Sequence, residues 1–295
     1  MKSTEFLAHL DQKQTLVLDG ATGTNLQKRG LPVGTAPETW LFEKPQSISK
    51  LYSDFVQAGS DIILTCTFGG NRVRLAHANL VEKIADVNQT AVQLAKSVIT
   101  GTGVLVAGSL GPTGEMMQPF GTLSEDDVFD IYQEQAKVLL TAGVDILVVE
   151  TQFDLNEAQA AVRAVRSLDA EIALVCSFSY DRGVRTMMGV KPSQMAETFN
   201  NLTVDVLGIN CGKSLEDNLS VLRTLKETTS KPIWFKPNAG MPTANDDGSM
   251  SYDVAPEMMG ENAKVWITEG ARLVGGCCGT SPKHLAAIAK VTKGK

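Results

Sequence analysis

The sequence predicts an α/β protein, a single (β/α)8 or TIM barrel occupying residues 1–295. Three observations predict it. Eight short apolar runs rich in Val, Ile and Leu recur along the chain, and they show little of the alternation expected of half-exposed strands, as strands buried on both faces do. Segments with helical patterning lie between them. The length of 295 residues fits eight such β/α units, which typically occupy about 250 residues. A doubly wound open sheet is the alternative. No Gly-x-Gly-x-x-Gly follows the first run, however, and the segment Gly20-Ala-Thr-Gly23-Thr does not have that spacing.

The elements follow in order. Residues 1–10 carry no apolar signal core and read as an amphipathic first helix. Strands are expected at 15–18, 61–67, 103–109, 145–151, 171–178, 204–211, 232–237 and 271–277. Helices are expected at 46–59, 84–99, 125–142, 155–168, 192–200, 214–227, 256–269 and 282–292. Ser124 ahead of Glu125, Asp126 and Asp127 marks a helix start, because a hydroxyl caps free backbone N–H groups and acidic residues complement the helix dipole. Ser281-Pro282 marks another, with proline at the first helical position. Gly59, Gly143 and Gly270 close helices ahead of the next strand. The least patterned stretches, 28–45, 68–82, 111–123, 180–191 and 238–255, all follow strand C-termini, where barrel active sites are built.

Composition narrows the function. Net charge is -6 with no basic block, which argues against nucleic acid or an anionic membrane as partner. No apolar stretch approaches the ~20 residues of a membrane span, and a cytoplasmic location is expected. Five cysteines in a reducing compartment read as metal ligands, reactive thiols or core residues rather than disulfides.

Three of those cysteines stand at strand ends. Cys211 closes the run Val-Leu-Gly-Ile-Asn-Cys, and Cys277 and Cys278 close Leu-Val-Gly-Gly-Cys-Cys. In a barrel these two ends face one mouth across a single intervening strand. Three thiolates suit zinc with a fourth position left open, the catalytic arrangement rather than the closed structural one. Gly212, Gly275, Gly276 and Gly279 leave the backbone free to aim neighbouring side chains at one ion. The spacing leaves two other readings open: small core residues, or a vicinal disulfide. Cys176 lies inside a strand and reads as core; Cys66 lies near a strand end and is not assigned as a ligand.

Two acids also close apolar strands, Asp19 the first and Glu150 the fourth. A carboxylate there is costly without a partner or a cationic ligand, so both are substrate-binding candidates, with a substrate α-ammonium as the natural partner of Glu150. A structural role, accepting backbone N–H groups from a tight loop, is the other reading. Gly108-Ser-Leu-Gly-Pro-Thr-Gly114 could bring ligand close to backbone N–H groups able to bind a carboxylate, and Ser109 is its substrate-binding candidate. Residues 237–242 could shape the pocket. His9, His77 and His284 share no strand-end pattern and read as surface or helix residues.

Taken in order, Asp19-Gly-Ala-Thr-Gly-Thr, Leu64-Thr-Cys-Thr-Phe-Gly-Gly-Asn71, Gly111-Pro-Thr-Gly, Glu150-Thr, Gly208-Ile-Asn-Cys211, Pro237-Asn-Ala-Gly and Gly275-Gly-Cys-Cys-Gly-Thr resemble the homocysteine S-methyltransferase family through nearly the whole chain. The resemblance implies a (β/α)8 barrel, Zn2+ on Cys211, Cys277 and Cys278, homocysteine held by Asp19 and Glu150, and methionine as product. One barrel has no room for separate folate-binding and cobalamin-binding domains. The methyl donor is then a small betaine-like onium compound taken directly, or a corrinoid protein serves the barrel in trans. Trp40 could contribute to a cation–π box for a quaternary ammonium. Animal betaine enzymes carry tyrosines where this chain has Thr151 and the Gly69-Gly70 pair, so a complete aromatic cage is not visible. A non-catalytic thiol-binding barrel and a Cys277–Cys278 redox dithiol are the competing classes, and oligomeric state is left open.

Overall fold

A computed structural model describes residues 1–246 and 248–294. Its eight main strands are β1 (Leu16–Val17), β2 (Ile62–Leu64), β3 (Leu105–Leu110), β4 (Ile146–Gln152), β5 (Ala173–Phe178), β6 (Val206–Cys211), β7 (Ile233–Pro237) and β8 (Ala271–Val274). They pair in parallel in the order β1-β8-β7-β6-β5-β4-β3-β2. Each of the eight apolar runs forms its strand, and the sheet curls into a nearly closed barrel with helices alternating between strands. β1 and β2 meet at the seam without a regular ladder. There the Asp61 N–H donates to Val17 O at 2.6 Å, and the Val17 N–H donates to Asp61 Oδ2 at 2.8 Å.

That aspartate device recurs ahead of β2, β4 and β6. Asp61, Asp145 and Asp205 each stand one residue ahead of β2, β4 and β6. Each accepts a backbone N–H from the preceding strand: Val17 at 2.8 Å, Val106 at 2.9 Å and Leu174 at 2.8 Å. A carboxylate in this place extends the ladder where the entering chain would otherwise leave an N–H unpaired. It is a short repeat that the sequence reading did not register.

Two apolar cores result. One fills the barrel, with Leu16, Leu18, Ile62, Leu64, Ala107, Ile146, Val148, Ala173, Val175, Val206, Trp234 and Leu273 turned inward. The N-terminal helix, Ser3–Lys13, adds Phe6 and Leu10 to it and so plugs one end. The other core lies between sheet and helices. The expected helices form as Pro45–Gln57, Ile84–Ile99, Glu125–Ala142, Leu155–Leu168, Pro192–Asn200, Leu215–Thr228, Pro256–Thr268 and Pro282–Lys293. Ser124 caps as expected: its hydroxyl accepts the Asp127 N–H at 3.1 Å, while Asp127 Oδ2 accepts the Ser124 N–H at 2.9 Å. Short helices at Thr22–Lys28, Trp40–Glu43 and Arg72–His77, and a hairpin pairing Thr243–Ala244 with Met250–Ser251, form in loops where no periodicity announced them.

Because side chains alternate along a strand, the inward set continues upward by twos. Beyond Ala107, Val148, Val175 and Trp234 come Ser109, Glu150, Ser177 and Lys236, and beyond Val206 come Gly208 and Asn210. The apolar filling thus gives way to a polar layer at the C-terminal ends of the strands.

Candidate active site

The polar layer floors a cavity of about 820 Å3 at that end of the barrel. Cys211, Cys277 and Cys278 all line it, and their sulfur atoms lie within 4.8 Å of one another. Cys211 Sγ and Cys277 Sγ are 2.8 Å apart, and all three are free thiols, so the vicinal disulfide is not formed. Each cysteine is fixed through its backbone. Cys211 has φ 59, a conformation unusual for a side chain with a Cβ. Its carbonyl accepts Asn218 Nδ2 at 2.8 Å and the Asn238 N–H at 3.2 Å. The Cys277 N–H donates to Pro237 O at 2.7 Å, and Cys277 O accepts the Thr280 hydroxyl at 2.6 Å. Gly276 makes this turn possible, since a Cβ there would sit 2.2 Å from Thr280 Cγ2.

Asn210 ties the β4 and β6 ends together. Its Oδ1 accepts the Ser177 hydroxyl at 2.6 Å and the Thr151 N–H at 2.9 Å. Its Nδ2 donates to Thr151 Oγ1 at 2.7 Å and to Cys211 Sγ at 3.4 Å. Thr151, like Cys211, has φ 59, so both strands turn through the same left-handed conformation one residue after an inward-facing polar side chain. Within the thiol cluster, hydrogen bonds with Cys277 and Cys278 push Cys211 above the ordinary thiol value. Hydrogen bonds from Cys211 and Cys277 pull Cys278 well below it, helped by the Tyr252 hydroxyl and the Lys236 charge. Cys277 is also pushed up, to about 12, so of the three thiols only Cys278 is biased toward the thiolate.

Beside the sulfurs stand three buried charged groups. Glu150 is 6% exposed and lines the cavity, and its Oε1 accepts the Ser109 hydroxyl at 2.5 Å. Burial pushes its carboxyl up to about 7, against the pull of the Lys236 charge. Lys236 Nζ lies 2.7 Å from Asp19 Oδ1. Burial works against that ammonium, but the Asp19 and Glu150 carboxylates more than offset it and hold it above the ordinary lysine value. Asp19 is wholly buried, and its other oxygen accepts the Leu64 N–H at 2.8 Å.

The structure brings together the three cysteines, Glu150 and Ser109 in one cavity wall and places the other substrate-binding candidates outside that lining. Asp19 does not line the cavity; Lys236 stands between them, so Asp19 anchors that lysine. Trp40 is 2% exposed, packs in the core outside the cavity and has the Lys44 ammonium 4.4 Å from its ring centroid. Its bulk is used for packing, and no cation–π box forms around it. Three N–H groups at the end of β3 and in the loop after it are already spent: Ser109 on Thr65 Oγ1, Gly111 on Phe68 O and Thr113 on Glu157 Oε1. They have nothing left for a carboxylate. Cys66 lines the cavity apart from the sulfur cluster, and Cys176 is core. His284 is held between Ser281 and Val254 O, while His77 is an exposed residue at the cavity rim.

Lys236 and Asn210 were missed. Both are polar residues inside apolar runs, two positions beyond an inward residue or its glycine successor, and that spacing is the signal that could have found them.

Comparison with known proteins agrees with this arrangement. Residues 16–292 match the model of a family described as homocysteine S-methyltransferase. The chain is 30% identical to the homocysteine S-methyltransferase YbgG of Bacillus subtilis, with 95% of each chain covered. It is also 30% identical to the methionine synthase of Mycobacterium tuberculosis, over 97% of this chain and 25% of that enzyme. In three dimensions it superimposes on the metallated form of the Escherichia coli homocysteine methyltransferase MmuM with TM-score 0.81 at 25% identity, covering 98% of this chain and 99% of the other.

Proposed function

We propose that this chain, which belongs to the homocysteine S-methyltransferase family, transfers a methyl group from a small betaine-like onium donor to homocysteine held at a zinc centre of Cys211, Cys277 and Cys278. The family makes it a methyltransferase acting on homocysteine; donor and metal are our reading. The observation that carries it is the convergence of three thiols on one point of a cavity that also holds a buried carboxylate and a buried ammonium. A three-sulfur set is soft, and its atoms are close enough to share one ion with ~2.3 Å zinc–sulfur bonds. The relative MmuM has been described in a metallated form.

Zinc bound there would lower the pKa of the substrate thiol and so supply a nucleophile at neutral pH. The rest falls to the chain's own residues. Glu150, oriented by the Ser109 hydroxyl, is the carboxylate for the homocysteine ammonium. Lys236 is held by Asp19 on one side and has further N–H donors for the substrate carboxylate. With both ends of the amino acid fixed, the sulfur is delivered to the cysteine cluster.

In the transfer, a carbon–sulfur bond forms as the donor's carbon–nitrogen or carbon–sulfur bond breaks, and its electron pair stays on the departing heteroatom. The negative charge of the thiolate and the positive charge of the onium cancel. No proton moves in that step, and no general base is required. Charge cancellation of this kind is favoured where water is excluded.

The alignment with one quarter of a methionine synthase supports a second reading, in which the barrel activates homocysteine for a methylated corrinoid protein acting in trans. The two are separated by incubating zinc-loaded protein with homocysteine and deuteromethyl-labelled glycine betaine or S-methylmethionine. Labelled methionine that vanishes with chelation is the expected result. Methionine formed only on addition of a methylated corrinoid protein would establish the second reading instead.

A further inference from the structure

The amide of Asn210 is held in one orientation. It stands near the end of β6, wholly buried, and all its hydrogen-bonding positions are taken. Oδ1 accepts the Thr151 N–H at 2.9 Å and the Ser177 hydroxyl at 2.6 Å. A backbone N–H can only donate, so the amide oxygen must face Thr151 N and the amide nitrogen must face the other way. There Nδ2 spends one proton on Thr151 Oγ1 at 2.7 Å and the other on Cys211 Sγ at 3.4 Å. The ends of β4 and β5 thus aim an N–H at one sulfur of the cluster. That sulfur is equally fixed, because the Cys211 carbonyl is held by Asn218 Nδ2 and the Asn238 N–H.

The sulfurs are not treated alike. Among the described residues no amide hydrogen-bonds to Cys277 Sγ, which has Cys211 Sγ beside it at 2.8 Å. The difference matters where an electrophilic methyl group is brought to a cluster of thiolates. Methylation of a cysteine would form a carbon–sulfur bond from the cysteine's electron pair and break the donor's carbon–heteroatom bond, whose pair stays on the departing atom. The cysteine would end as a thioether. A thioether is a weak acceptor, so an N–H···S bond present before attack is given up on the way to the product, and the attack is slowed. The substrate sulfur escapes this penalty, since Asn210 has no N–H left to give it.

We propose that Asn210 is a positioning residue that shields Cys211 from methylation by the protein's own donor, holding the Cys211 electron pair on its N–H while the substrate sulfur stays free to react. What Cys211 is shielded from rests on the methyl-transfer reading above; the N–H···S bond and the lowered reactivity of that sulfur do not.

The test is alkylation of the zinc-loaded full chain with deuteromethyl iodide, read by peptide mass spectrometry with Cys277 as the internal reference. Asn210→Leu removes the donor and keeps a side chain of similar shape. It is expected to raise the ratio of Cys211 to Cys277 methylation about fivefold, the worth of one ordinary hydrogen bond. Thr151→Val disturbs the same network but leaves the N–H on the sulfur, and its ratio stays at the wild-type value. A merely structural Asn210 would move both sulfurs together. The cobalt(II)-loaded chain gives a readout without alkylation. Its sulfur-to-cobalt charge-transfer band moves to lower energy in Asn210→Leu, because the sulfur has lost its hydrogen bond, and stays in place in Thr151→Val. Should Asn210→Leu not fold, Asn210→Asp, which keeps an oxygen for Thr151 and Ser177 and lacks the N–H, is measured in its place. An unchanged methylation ratio in the Asn210 variant, or an equal rise in Thr151→Val, overturns the proposal. The expected ratios with no methionine formed from the labelled onium donor would leave the shielding standing and refute the transfer reading.

Discussion

Lys236 decides how the polar layer works. It sits in a strand that is otherwise Ile, Trp, Phe and Pro, and its ammonium is 2.7 Å from a carboxylate that solvent does not reach. Such a pair gains little over an apolar isostere, but breaking it strands a charge. Lys236→Met therefore costs about 3–5 kcal/mol in a urea titration, and the double variant Asp19→Asn/Lys236→Met recovers most of that loss, an interaction that a double-mutant cycle reads directly. Glu150 contributes a pH dependence. Its carboxyl lies at about 7, so it is neutral below that pH and a carboxylate above it. Methionine keeps its ammonium protonated between pH 6 and 8 and has no thiol proton to lose. Its affinity rises from pH 6 to pH 8 if Glu150 binds that ammonium, and calorimetry on Glu150→Gln shows no such rise. The sign for stability is the reverse. The folded protein holds the Glu150 proton over a range where the unfolded chain has released it, so the unliganded protein loses stability as pH rises from about 4.5 to about 7.

The elements that carry these residues were largely legible in the sequence. Strands buried on both faces appear as unbroken apolar runs, and the helices between them announced their ends through Ser124, Gly59, Gly143 and Gly270. Strand-end positions pointed to the cysteines and to Glu150 for the same reason: in a barrel, the end of a strand is the mouth. Inward direction was harder to read, because runs apolar on both faces show no alternation from which to count. Lys236 and Asn210 were lost there, and so was the pairing that sets Asp19 one ammonium back from the cavity wall. An aromatic residue suggests a cation site, but the sequence does not tell that Trp40 is buried outside the cavity. The turn before the paired cysteines gives a sharper test of an element. Gly276→Ala places a Cβ 2.2 Å from Thr280 Cγ2. The overpacked turn should destabilise the fold by about 1–3 kcal/mol and reduce zinc retention on dialysis; full retention would show that the turn does not aim the cysteines.

At the scale of the whole molecule, the barrel divides its labour along its axis. The N-terminal helix plugs one end, apolar layers fill the middle, and the opposite end opens into the cavity. Among the described residues no helix is long and apolar enough to cross a membrane. The chain spans nearly all of YbgG and a quarter of a methionine synthase, so the same barrel stands alone in one relative and within a longer chain in another. The central proposal is that Cys211, Cys277 and Cys278 hold a metal that activates homocysteine. The most direct measurement is zinc content together with methionine formation from homocysteine and an onium donor, in wild-type protein and in Cys277→Ala. About one zinc per chain with methionine formed in the wild type, and loss of both in the variant, is the predicted result. Methionine formation at an undiminished rate in metal-free Cys277→Ala would contradict it.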